Sequence, residues 1–519
     1  MEDAPMNGAE SLVRTLVGAG VDVCFANPGT SEMHFVAALD SVAGMRPILG
    51  LFEGAVTGMA DGYGRMALKP AATLLHLGPG LANGLANLHN ARRAATPIVN
   101  IVGDHATYHA QYDAPLTSDV AGFARPVSGW VHSSTSALTV AADGARAVAA
   151  SLQPPGQIAT LILPADTAWD PAEGAAAPLA VQAPAPVAGA VVDRVAAALN
   201  NGKRSAILIR GAGLRGDGLI AAGRIAAATG ARILCDTFAP RLERGAGRVA
   251  LERIPYFAEQ IVDFLKDVEQ LILVGAKPPV SFFAYPGKPS WCLPEGATVL
   301  YLAHPHEEGV NALEDLAMAL NAPTALAGLA AHALTEGAAT AFNQYTIGQV
   351  IARHLPESAI ISDEGATNSG GTQLATATAA PHDYLTLTGG SIGQGIPLAT
   401  GAAVAAPGRK VVCVQGDGGA MYTLQALWTQ AREKLDVTTV IFANHSYAIL
   451  NVELHRVGAL NAGPKALSML DLRGPSLDFV ELGRGLGVES SRAETLKAFE
   501  AQFADAMRQA GPRLIEVAL

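Results

Sequence analysis

The sequence predicts an α/β protein made of three doubly wound parallel-sheet domains, at residues 1–171, 190–330 and 340–519. Short apolar runs rich in β-branched residues alternate with stretches of helical periodicity, which is the pattern of βαβ units. The 519 residues are 50% hydrophobic and only 16% charged, and this composition favours sheets that are covered by helices on both faces. Two long passages that are poor in charge divide the pattern into three parts of similar size.

Each predicted domain contains several runs that are typical of buried strands. In the first domain the predicted strands are Val21–Ala26, Pro47–Leu51, Ala71–Leu77 and Pro97–Gly103. In the second domain they are Ser205–Arg210, Arg232–Cys235, Gln270–Gly275 and Thr298–Ala303. In the third domain they are Ala359–Ser362, Lys410–Gln415, Thr438–Ala443 and Arg513–Leu519. Amphipathic stretches such as SEMHFVAALDSV and GAVTGMADGYGRMA lie between the strands of the first domain and predict its helices.

Two passages separate the domains. The segment PAEGAAAPLAVQAPAPVAGA, at 171–190, is rich in alanine and proline and predicts an extended linker. The segment NAPTALAGLAAHALTEGAATAF, at 321–342, is rich in alanine and glycine and divides the second domain from the third. The predicted domain boundaries rest on these two passages.

Composition also excludes several classes of protein. A formal net charge of −11 without a cluster of Lys and Arg argues against nucleic acid as a partner. The 4 cysteines are scattered and form no Cys-x-x-Cys pair, so neither a disulfide framework nor a zinc site is expected. No apolar run is long enough to span a bilayer, and the first residues lack the apolar core of a secretory signal. A soluble, cytoplasmic protein without a membrane partner is expected.

The richest chemical signal is VVCVQGDGGAMYTLQALWTQAREKLDVTTVIFANHSYAI, in which Gly416, Asp417 and Gly418 follow one predicted strand and Asn444 follows the next. In a doubly wound sheet, consecutive parallel strands carry their carboxyl ends to one edge, so Asp417 and Asn444 should converge. A carboxylate and an amide oxygen suit Mg²⁺ or Ca²⁺, and the helix after the glycines offers its N-terminus to phosphate. Gly-Asp-Gly alone also occurs in ordinary turns; the strand, helix, strand and asparagine around it favour the ligand site.

This pattern resembles the diphosphate-binding signature of thiamine-diphosphate (ThDP) enzymes. NPGTSEMHF, LFEGAVTGMADGYGR, LHLGPGLANGLANLHNARRAATPIVNIVG and GGSIGQGIPLATGAA precede it, in the order of the decarboxylase and acetolactate-synthase superfamily. The nearest resemblance is to benzoylformate decarboxylases and to short proteins similar to the acetolactate synthase large subunit. It implies a pyrimidine-binding, a middle and a diphosphate-binding domain, and a dimer or tetramer with active sites between chains.

The resemblance implies roles for particular residues. Glu53 would contact the N1′ atom of the aminopyrimidine and favour the tautomer that generates the C2 ylid. Ile392 would be the apolar wedge that keeps the cofactor bent. The metal ligands would be Asp417, Asn444 and the carbonyl oxygen of Ser446. The other residues expected to bind the cofactor are Gly80, Asn83, Glu364, Ala366, Thr367, Gly390, Gly416, Gly418, Gly419, Ala420 and Tyr447.

Simpler structural roles compete with some of these assignments. Glu53 could be an ordinary acid at a helix N-terminus, and Ile392 an ordinary core residue after a turn. Thr30 lies where the family places a hydroxyl residue that faces the substrate, and we expect Thr30 to take part in catalysis. Thr30 and Ser31 could instead cap the helix that follows them.

His76 ends a predicted strand in LLHLGPGLANG and could be a structural histidine, part of a phosphate loop or a catalytic acid/base. A histidine at this position resembles the pattern of benzoylformate decarboxylases, whereas the Gly-Pro-Gly after it resembles the pattern of the acetolactate synthases. The resemblance implies that strand ends of the first domain face the cofactor, so His76 is expected to face the substrate. Because histidine titrates near neutrality, it could bind a substrate carboxylate or carry a proton.

A second histidine, which benzoylformate decarboxylases take from the middle domain, is not evident. Phe282 or Phe283 occupies that place in VSFFAYPG. His105, His109 and Tyr112 could substitute for it, or could belong to a surface loop. Further residues could border the substrate channel, namely Tyr447, Leu450 and His455, although the first two would suit a helix core equally well. FAD is not expected, because the middle domain is short and has no convincing flavin loop.

The resemblance therefore implies a ThDP- and Mg²⁺-dependent enzyme that decarboxylates a small 2-oxo acid. The ylid would add to the keto carbon, CO₂ would leave, and the enamine would be protonated or captured by a second carbonyl compound. Acetolactate-synthase-like condensation of pyruvate without FAD is an alternative, and a CoA-thioester lyase a weaker one. A ThDP-binding partner without catalysis belongs to another functional class and also remains open.

Overall fold

The computed structural model describes residues 6–326, 328–334 and 341–519. Three sheets with interleaved helices confirm the predicted α/β class. No helix in these ranges is both long and apolar enough to cross a membrane. The passage between the first two units contains no helix or strand from Ala172 to Ala188, as predicted for a linker. Parts of the second passage, residue 327 and residues 335–340, lie outside the described ranges.

The first unit has a parallel sheet of order β2-β1-β3-β4-β6-β5. Its strands are β1 Val23–Asn27, β2 Arg46–Leu49, β3 Ala71–Leu75, β4 Ile98–Asp104, β5 Trp130–Ser133 and β6 Ile158–Pro164. Its helices are α1 Gly8–Gly18, α2 Met33–Ser41, α3 Glu53–Ala67, α4 Leu77–Ala94, α5 Val120–Ala124, α6 Val140–Ser151 and α7 Ala165–Trp169. Separate buried apolar clusters on its two faces explain why its strands are apolar along most of their length.

The middle unit has a parallel sheet of order β10-β8-β7-β11-β12. Its strands are β7 Ser205–Ile209, β8 Arg232–Cys235, β10 Glu252–Arg253, β11 Gln270–Val274 and β12 Thr298–Ala303. Its helices are α8 Gly189–Leu199, α9 Gly216–Thr229, α10 Ala258–Leu265 and α11 Gly309–Ala319. One strand of this unit, β9 Leu242–Arg244, leaves its own sheet and pairs antiparallel with a strand of the third unit.

The third unit has a sheet of order β17-β18-β16-β15-β13-β14-β9, parallel except for β9. Its own strands are β13 Ile360–Glu364, β14 His382–Thr386, β15 Val411–Gly416, β16 Val437–Ala443, β17 Glu489–Ala493 and β18 Arg513–Ala518. Its first helices are α12 Gln344–His354, α13 Ser369–Thr376, α14 Gly395–Ala405, α15 Asp417–Thr423 and α16 Ala426–Glu433. The remaining helices are α17 Ala448–Arg456, α18 Pro464–Ser468, α19 Phe479–Gly485 and α20 Leu496–Arg508.

Every predicted strand is present, with ends that move by a few residues. The prediction that the third strand extends to Leu77 is wrong, because α4 begins there and His76 is its N-terminal flanking residue. The strands β5, β6, β9, β10, β14 and β17 were not predicted. The strand β14 was not predicted because it begins with the polar residues His382 and Asp383, which are nevertheless buried in the structure.

The first and third units pack tightly through α3 and α14. A methyl group on Gly62 would lie 2.0 Å from the carbonyl oxygen of Leu398. A methyl group on Gly401 would lie 1.8 Å from the carbonyl oxygen of Met59. Backbone meets backbone at both points, so only glycine permits this approach of the two helices.

A buried ion pair on α3 connects all three units. The Arg65 guanidinium donates to both carboxylate oxygens of Asp61, and the two side chains are 2% and 0% exposed. Arg65 also donates to the carbonyl oxygens of Pro240, at 3.2 Å, and Thr386, at 2.8 Å. Asp61 accepts a further hydrogen bond from Gln394, at 2.5 Å. The pair thus joins α3 to the middle unit and to the loop before α14.

Replacing Arg65 by methionine should lower the free energy of unfolding by about 3–5 kcal/mol, because Asp61 would remain as an unpaired buried charge. Urea denaturation followed by circular dichroism measures this loss. Arg473→Met is the control, since Arg473 pairs with Asp471 at the surface, where a pair contributes about 0–1 kcal/mol. Equal losses in the two variants would contradict the role given to Arg65.

Candidate active site

Glu53 lies at the first position of α3, after Phe52 in extended conformation. Its side chain is largely buried, and the Asn83 amide donates to Glu53 Oε2 at 3.0 Å. A methyl group on Gly80 would lie 3.1 Å from Glu53 Oε1, so this glycine leaves space beside the carboxylate. The first turns of α4 therefore bring Gly80 and Asn83, two of the residues expected to bind the cofactor, next to Glu53.

His76 precedes the first turn of α4 and is about a quarter exposed (25%). Its Nδ1 atom lies 2.8 Å from Oε2 of Glu32, a carboxylate that is completely buried. Burial raises the pKa of Glu32, while the Gly29 amide and His76 act in the opposite direction. Sequence reasoning missed Glu32, although a glutamate three residues after a turn residue is a recognisable capping signal.

Thr30 and Ser31 begin the short 3₁₀ turn Thr30–Glu32. The flanking residue of that turn is Gly29, and the flanking residue of α2 is Glu32. The alternative that Thr30 or Ser31 caps a helix is therefore wrong. Thr30 is exposed beside the Glu32–His76 pair, and its role toward a substrate stays a prediction.

Asp417 and Asn444 follow the adjacent parallel strands β15 and β16, as predicted. The carboxylate of Asp417 accepts hydrogen bonds from the Gly418 amide at 2.8 Å and from the His445 amide at 2.6 Å. Burial raises the pKa of Asp417, and these two amides partly offset that effect. Asn444 Oδ1 accepts from the Ser446 amide at 3.0 Å. The strand ends thus bring the two residues into one loop system.

The loop after Asn444 is held in an unusual backbone conformation. His445 has φ of 53°, a region that non-glycine residues rarely adopt. The Tyr447 amide donates to the Leu470 carbonyl oxygen at 2.9 Å, and the Tyr447 ring packs on Gly418, where an added methyl group would lie 2.3 Å away. Tyr447 therefore closes over the Gly-Asp-Gly turn.

The chemistry of these groups fits a hard divalent cation. Asp417, Asn444 and the Ser446 carbonyl would offer only oxygen donors, which Mg²⁺ and Ca²⁺ prefer. Within the described ranges, no group of three or more His, Cys, Asp or Glu residues could hold a metal.

The glycine-rich loop before α14 is fixed by a buried carboxylate. Glu364 Oε1 accepts from the Gly393 amide at 2.6 Å, and Glu364 Oε2 accepts from the Gly395 amide at 2.5 Å. Burial raises the pKa of Glu364. Its carboxylate points to this loop. The expected contact of Glu364 and of the nearby Thr367 with a diphosphate stays a prediction. Ile392, on the same loop, is partly buried.

The α4 helix holds the other side of this loop, through residues that the sequence analysis did not single out. Asn87, which is buried, donates to the carbonyl oxygen of Gly54 at 2.7 Å and to that of Gly393 at 3.2 Å. Asn90 donates to the carbonyl oxygen of Ser391 at 2.8 Å. Polar residues repeated on one face of an apolar helix were the available signal. Asn87 joins the turn of Glu53 directly to the loop of Ile392.

Aromatic residues of the middle unit reach the same loop. A methyl group on Gly390 would lie 2.5 Å from the Phe282 ring, so this ring rests on the loop. Phe282 packs against Phe238 and Tyr256, with ring centroids 5.8 and 5.3 Å away. Phe282 and Phe283 remain 41% and 52% exposed, which leaves apolar surface next to the loop.

The other candidate side chains are more scattered. His105, His109 and Tyr112 form a row of rings with centroids 5.4 and 5.8 Å apart, after β4. Leu450 and His455 lie on α17, where His455 Nδ1 is 3.0 Å from the Asn451 carbonyl oxygen. Whether any of them meets a substrate stays a prediction.

Comparison with known proteins identifies the class. Two family models match: "Thiamine pyrophosphate enzyme, N-terminal TPP binding domain" at residues 6–124 and "Thiamine pyrophosphate enzyme, C-terminal TPP binding domain" at 363–517. The chain is 54% identical over 517 residues to "Putative acetolactate synthase large subunit IlvX" of Mycobacterium tuberculosis, covering 99% of both. It is 28% identical over 528 residues to "Benzoylformate decarboxylase" of Pseudomonas aeruginosa, covering 96% of both.

A solved structure shows the same fold. The "thiamine diphosphate-dependent 4-hydroxybenzoylformate decarboxylase" of Rhodococcus jostii RHA1 superposes with a TM-score of 0.85 at 23% identity, over 99% of both chains. The fold and both binding domains are thus those of enzymes that use thiamine diphosphate. The chain belongs to the thiamine pyrophosphate enzyme family, among its decarboxylases and acetolactate synthases.

Asn87→Asp should displace the loop of Ile392, because the carboxylate keeps the side-chain size but cannot donate to the two carbonyl oxygens. We expect about 1–3 kcal/mol lower stability and about 10- to 100-fold weaker ThDP binding, by calorimetric titration with Mg²⁺ present. Asn311→Asp, at an exposed position in the first turn of α11, is the matched control. Unchanged ThDP affinity in Asn87→Asp would show that this link does not position the loop.

Proposed function

We propose that the protein is a ThDP- and Mg²⁺-dependent decarboxylase or carboligase of a 2-oxo acid, similar to benzoylformate decarboxylase. The observation that carries the proposal is that buried acids follow the ends of strands in two different sheets. Glu53 lies beside Asn83 in the first unit, and Asp417 meets the loop of Asn444 in the third. The names of the relatives support this reaction class.

The third unit would hold the diphosphate and its metal. Asp417, Asn444 and the Ser446 carbonyl would bind Mg²⁺, or Ca²⁺ in its place, and Gly416, Gly418, Gly419 and Ala420 would allow close approach of the phosphates. Bound ThDP supplies an electron sink for the electron pair that is left when CO₂ departs. FAD is not part of the proposal.

The chain's own residues would orient the cofactor and move protons. Glu53 would hold a proton at N1′ of the aminopyrimidine, in the space that Gly80 leaves open. Ile392, on a loop fixed by Glu364 and Asn87, would support the bent cofactor from below. His76 would exchange a proton with the substrate, and Thr30 would lie beside it.

We further propose that each site forms between two chains, in a dimer or tetramer. Exposed apolar side chains lie close to the proposed site residues of both the first and the third unit, and a second chain would bury them. Leu51 lies two residues before Glu53 and is 44% exposed, while Met421 and Tyr422, on α15, are 40% and 51% exposed. The four cysteines are buried and unpaired, which supports a cytoplasmic location.

A second candidate function is acetolactate-synthase-like condensation of pyruvate without FAD. The printed name of the 54% identical relative favours it. The aromatic surface of Phe282 and Phe283 favours a larger apolar 2-oxo acid. The two candidates differ in the acceptor and in the size of the substrate side chain, and both need the same cofactor and the same glutamate.

The deciding experiment measures CO₂ release from a panel of 2-oxo acids by the protein with ThDP and Mg²⁺. Benzoylformate and its ring-substituted analogues, branched 2-oxo acids and pyruvate form the panel, and acetolactate is assayed as a product. We expect turnover of at least one acid that requires both ThDP and Mg²⁺. Tight ThDP binding without any turnover would favour the non-catalytic binding partner.

Glu53→Gln should lower kcat by about 10²–10⁴-fold, because an amide cannot share a proton with N1′. Steady-state CO₂ release on the best substrate of the panel measures the effect. Glu481→Gln is the control, because Glu481 lies at the surface, where its carboxylate pairs with the neighbouring Arg484 and its backbone amide donates to the helix cap Asp478. Full activity of Glu53→Gln would refute the role of Glu53.

A further inference from the structure

In the Glu32–His76 pair, one carboxylate oxygen of Glu32 is engaged in hydrogen bonds within the described part of the chain and the other is not. Glu32 Oε2 accepts from the Gly29 amide at 2.7 Å and faces His76 Nδ1 at 2.8 Å. Glu32 Oε1 is buried and has no hydrogen-bond partner among the residues that the structure describes. A buried polar atom without a partner costs about 1–3 kcal/mol, so its presence in this pair calls for an explanation.

Two glycines make room for this pair. A methyl group on Gly29 would lie 2.3 Å from His76 Nδ1, and one on Gly103 would lie 1.6 Å from Glu32 Oε1. Any other residue at either position would displace the carboxylate or the imidazole. The surrounding backbone is therefore shaped around these two side chains, whereas a simple turn cap would need only the Gly29 amide.

A second buried carboxylate–histidine pair in the first unit provides a comparison. Asp143, also buried, lies 3.2 Å from His132 Nε2, and its oxygens accept from Ser134 and Arg146. Asp143 is thus satisfied by a hydroxyl and a guanidinium, as expected of a structural acid. Among the described residues, the side chain of Glu32 has only the Gly29 amide and the histidine of the proposed site as partners.

We propose that Glu32 is a positioning residue for His76: its carboxylate holds Nδ1 protonated and turned inward, so that Nε2 faces the substrate. This inference rests on the proposed function, in which His76 carries the proton. When Nε2 takes up a proton, the positive imidazolium is paired with the Glu32 carboxylate. When Nε2 gives the proton away, the ring returns to its neutral form with Nδ1 still bound to Glu32.

Other titratable groups surround the pair. Glu53 faces His76 across Gly80, whose added methyl group would lie 3.1 Å from Glu53 Oε1 and 3.4 Å from His76 Cβ. On β4, Asp104 follows Gly103, and burial raises the pKa of this carboxyl. His105 comes next, with its Nε2 buried and unpartnered. Any pH profile of the site therefore contains these groups, and the test depends on differences between variants.

The first experiment is a double-mutant cycle of Glu32→Gln and His76→Gln, read as kcat/KM between pH 5 and 9. Glu32→Gln alone should lower kcat/KM by about 10- to 100-fold and change the pH profile. In the His76→Gln background the second substitution should add less than about 3-fold, because Glu32 acts through His76. Asp143→Asn, the matched control, should leave the profile unchanged. Independent, multiplicative effects would overturn the proposal.

Thermal unfolding separates positioning from a structural role. Since burial raises the pKa of Glu32, its stability contribution belongs to the protonated form and is lost as pH rises through the folded pKa. Glutamine is always neutral and still accepts from Gly29. Glu32→Gln should therefore unfold at the same temperature as the wild type, or a higher one, at pH 7. A lower Tm together with an unchanged pH profile would assign Glu32 to a structural cap only.

A third readout needs no turnover. Diethyl pyrocarbonate modifies neutral imidazole, and its rate at His76 can be followed by peptide mass spectrometry in the cofactor-free protein. The carboxylate makes Nε2 more nucleophilic, so Glu32→Gln should slow His76 labelling several-fold and leave His132 labelling unchanged. Equal His76 rates would overturn the proposal. Absence of turnover in the wild type would instead count against the proposed function, while this rate still decides the role of Glu32.

Discussion

The buried ion pair between Asp61 and Arg65 fixes the geometry on which the rest of the structure depends. The pair lies in the first unit and has partners in both of the others: Pro240 in the middle one, and Thr386, Thr388 and Gln394 in the third. A fully desolvated pair is costly to form and tolerates little displacement, because each charge needs the other. The loop before α14 is consequently held in one position relative to α3, the helix that begins at Glu53.

The helix α4 connects the candidate site to this fixed part of the structure. One end of α4 presents His76 and Asn83, and its middle presents Asn87, His89 and Asn90. A single helix thus touches both the pair that would meet the substrate and the loop that would support the cofactor. Rigid elements place catalytic groups more precisely than loops do, which suits chemistry that depends on proton positions.

Much of the fold could be predicted, because buried parallel strands are nearly continuous apolar runs. The strands missed were of two kinds. Ile158–Pro164 is apolar enough to have been recognised. His382–Thr386 is not, because it contains the buried polar residues His382 and Asp383, and Asp383 is paired with Arg241, which is distant in sequence. The Gly-Asp-Gly turn and Asn444 were predictable because strand topology alone brings them together. The contacts of Glu32 with His76 and of Asn87 with Gly54 and Gly393 were not, because these partners are distant in sequence; only the cap of Glu32 on Gly29 and the repeated polar face of α4 had a local signal.

The strand β9 has a consequence for how the chain can be recombined with its relatives. Leu242–Arg244 belongs to the middle unit by sequence but completes the sheet of the third unit, with Glu243 opposite Asp383. A chimera cut at the linkers would therefore replace the outermost strand of a sheet that it meant to keep. A mismatched guest strand would expose the β14 edge to pairing with other molecules. When the middle unit is exchanged, this three-residue strand should therefore be kept with the third unit. Its role there is to keep the third unit soluble, not to contribute to the chemistry of the site.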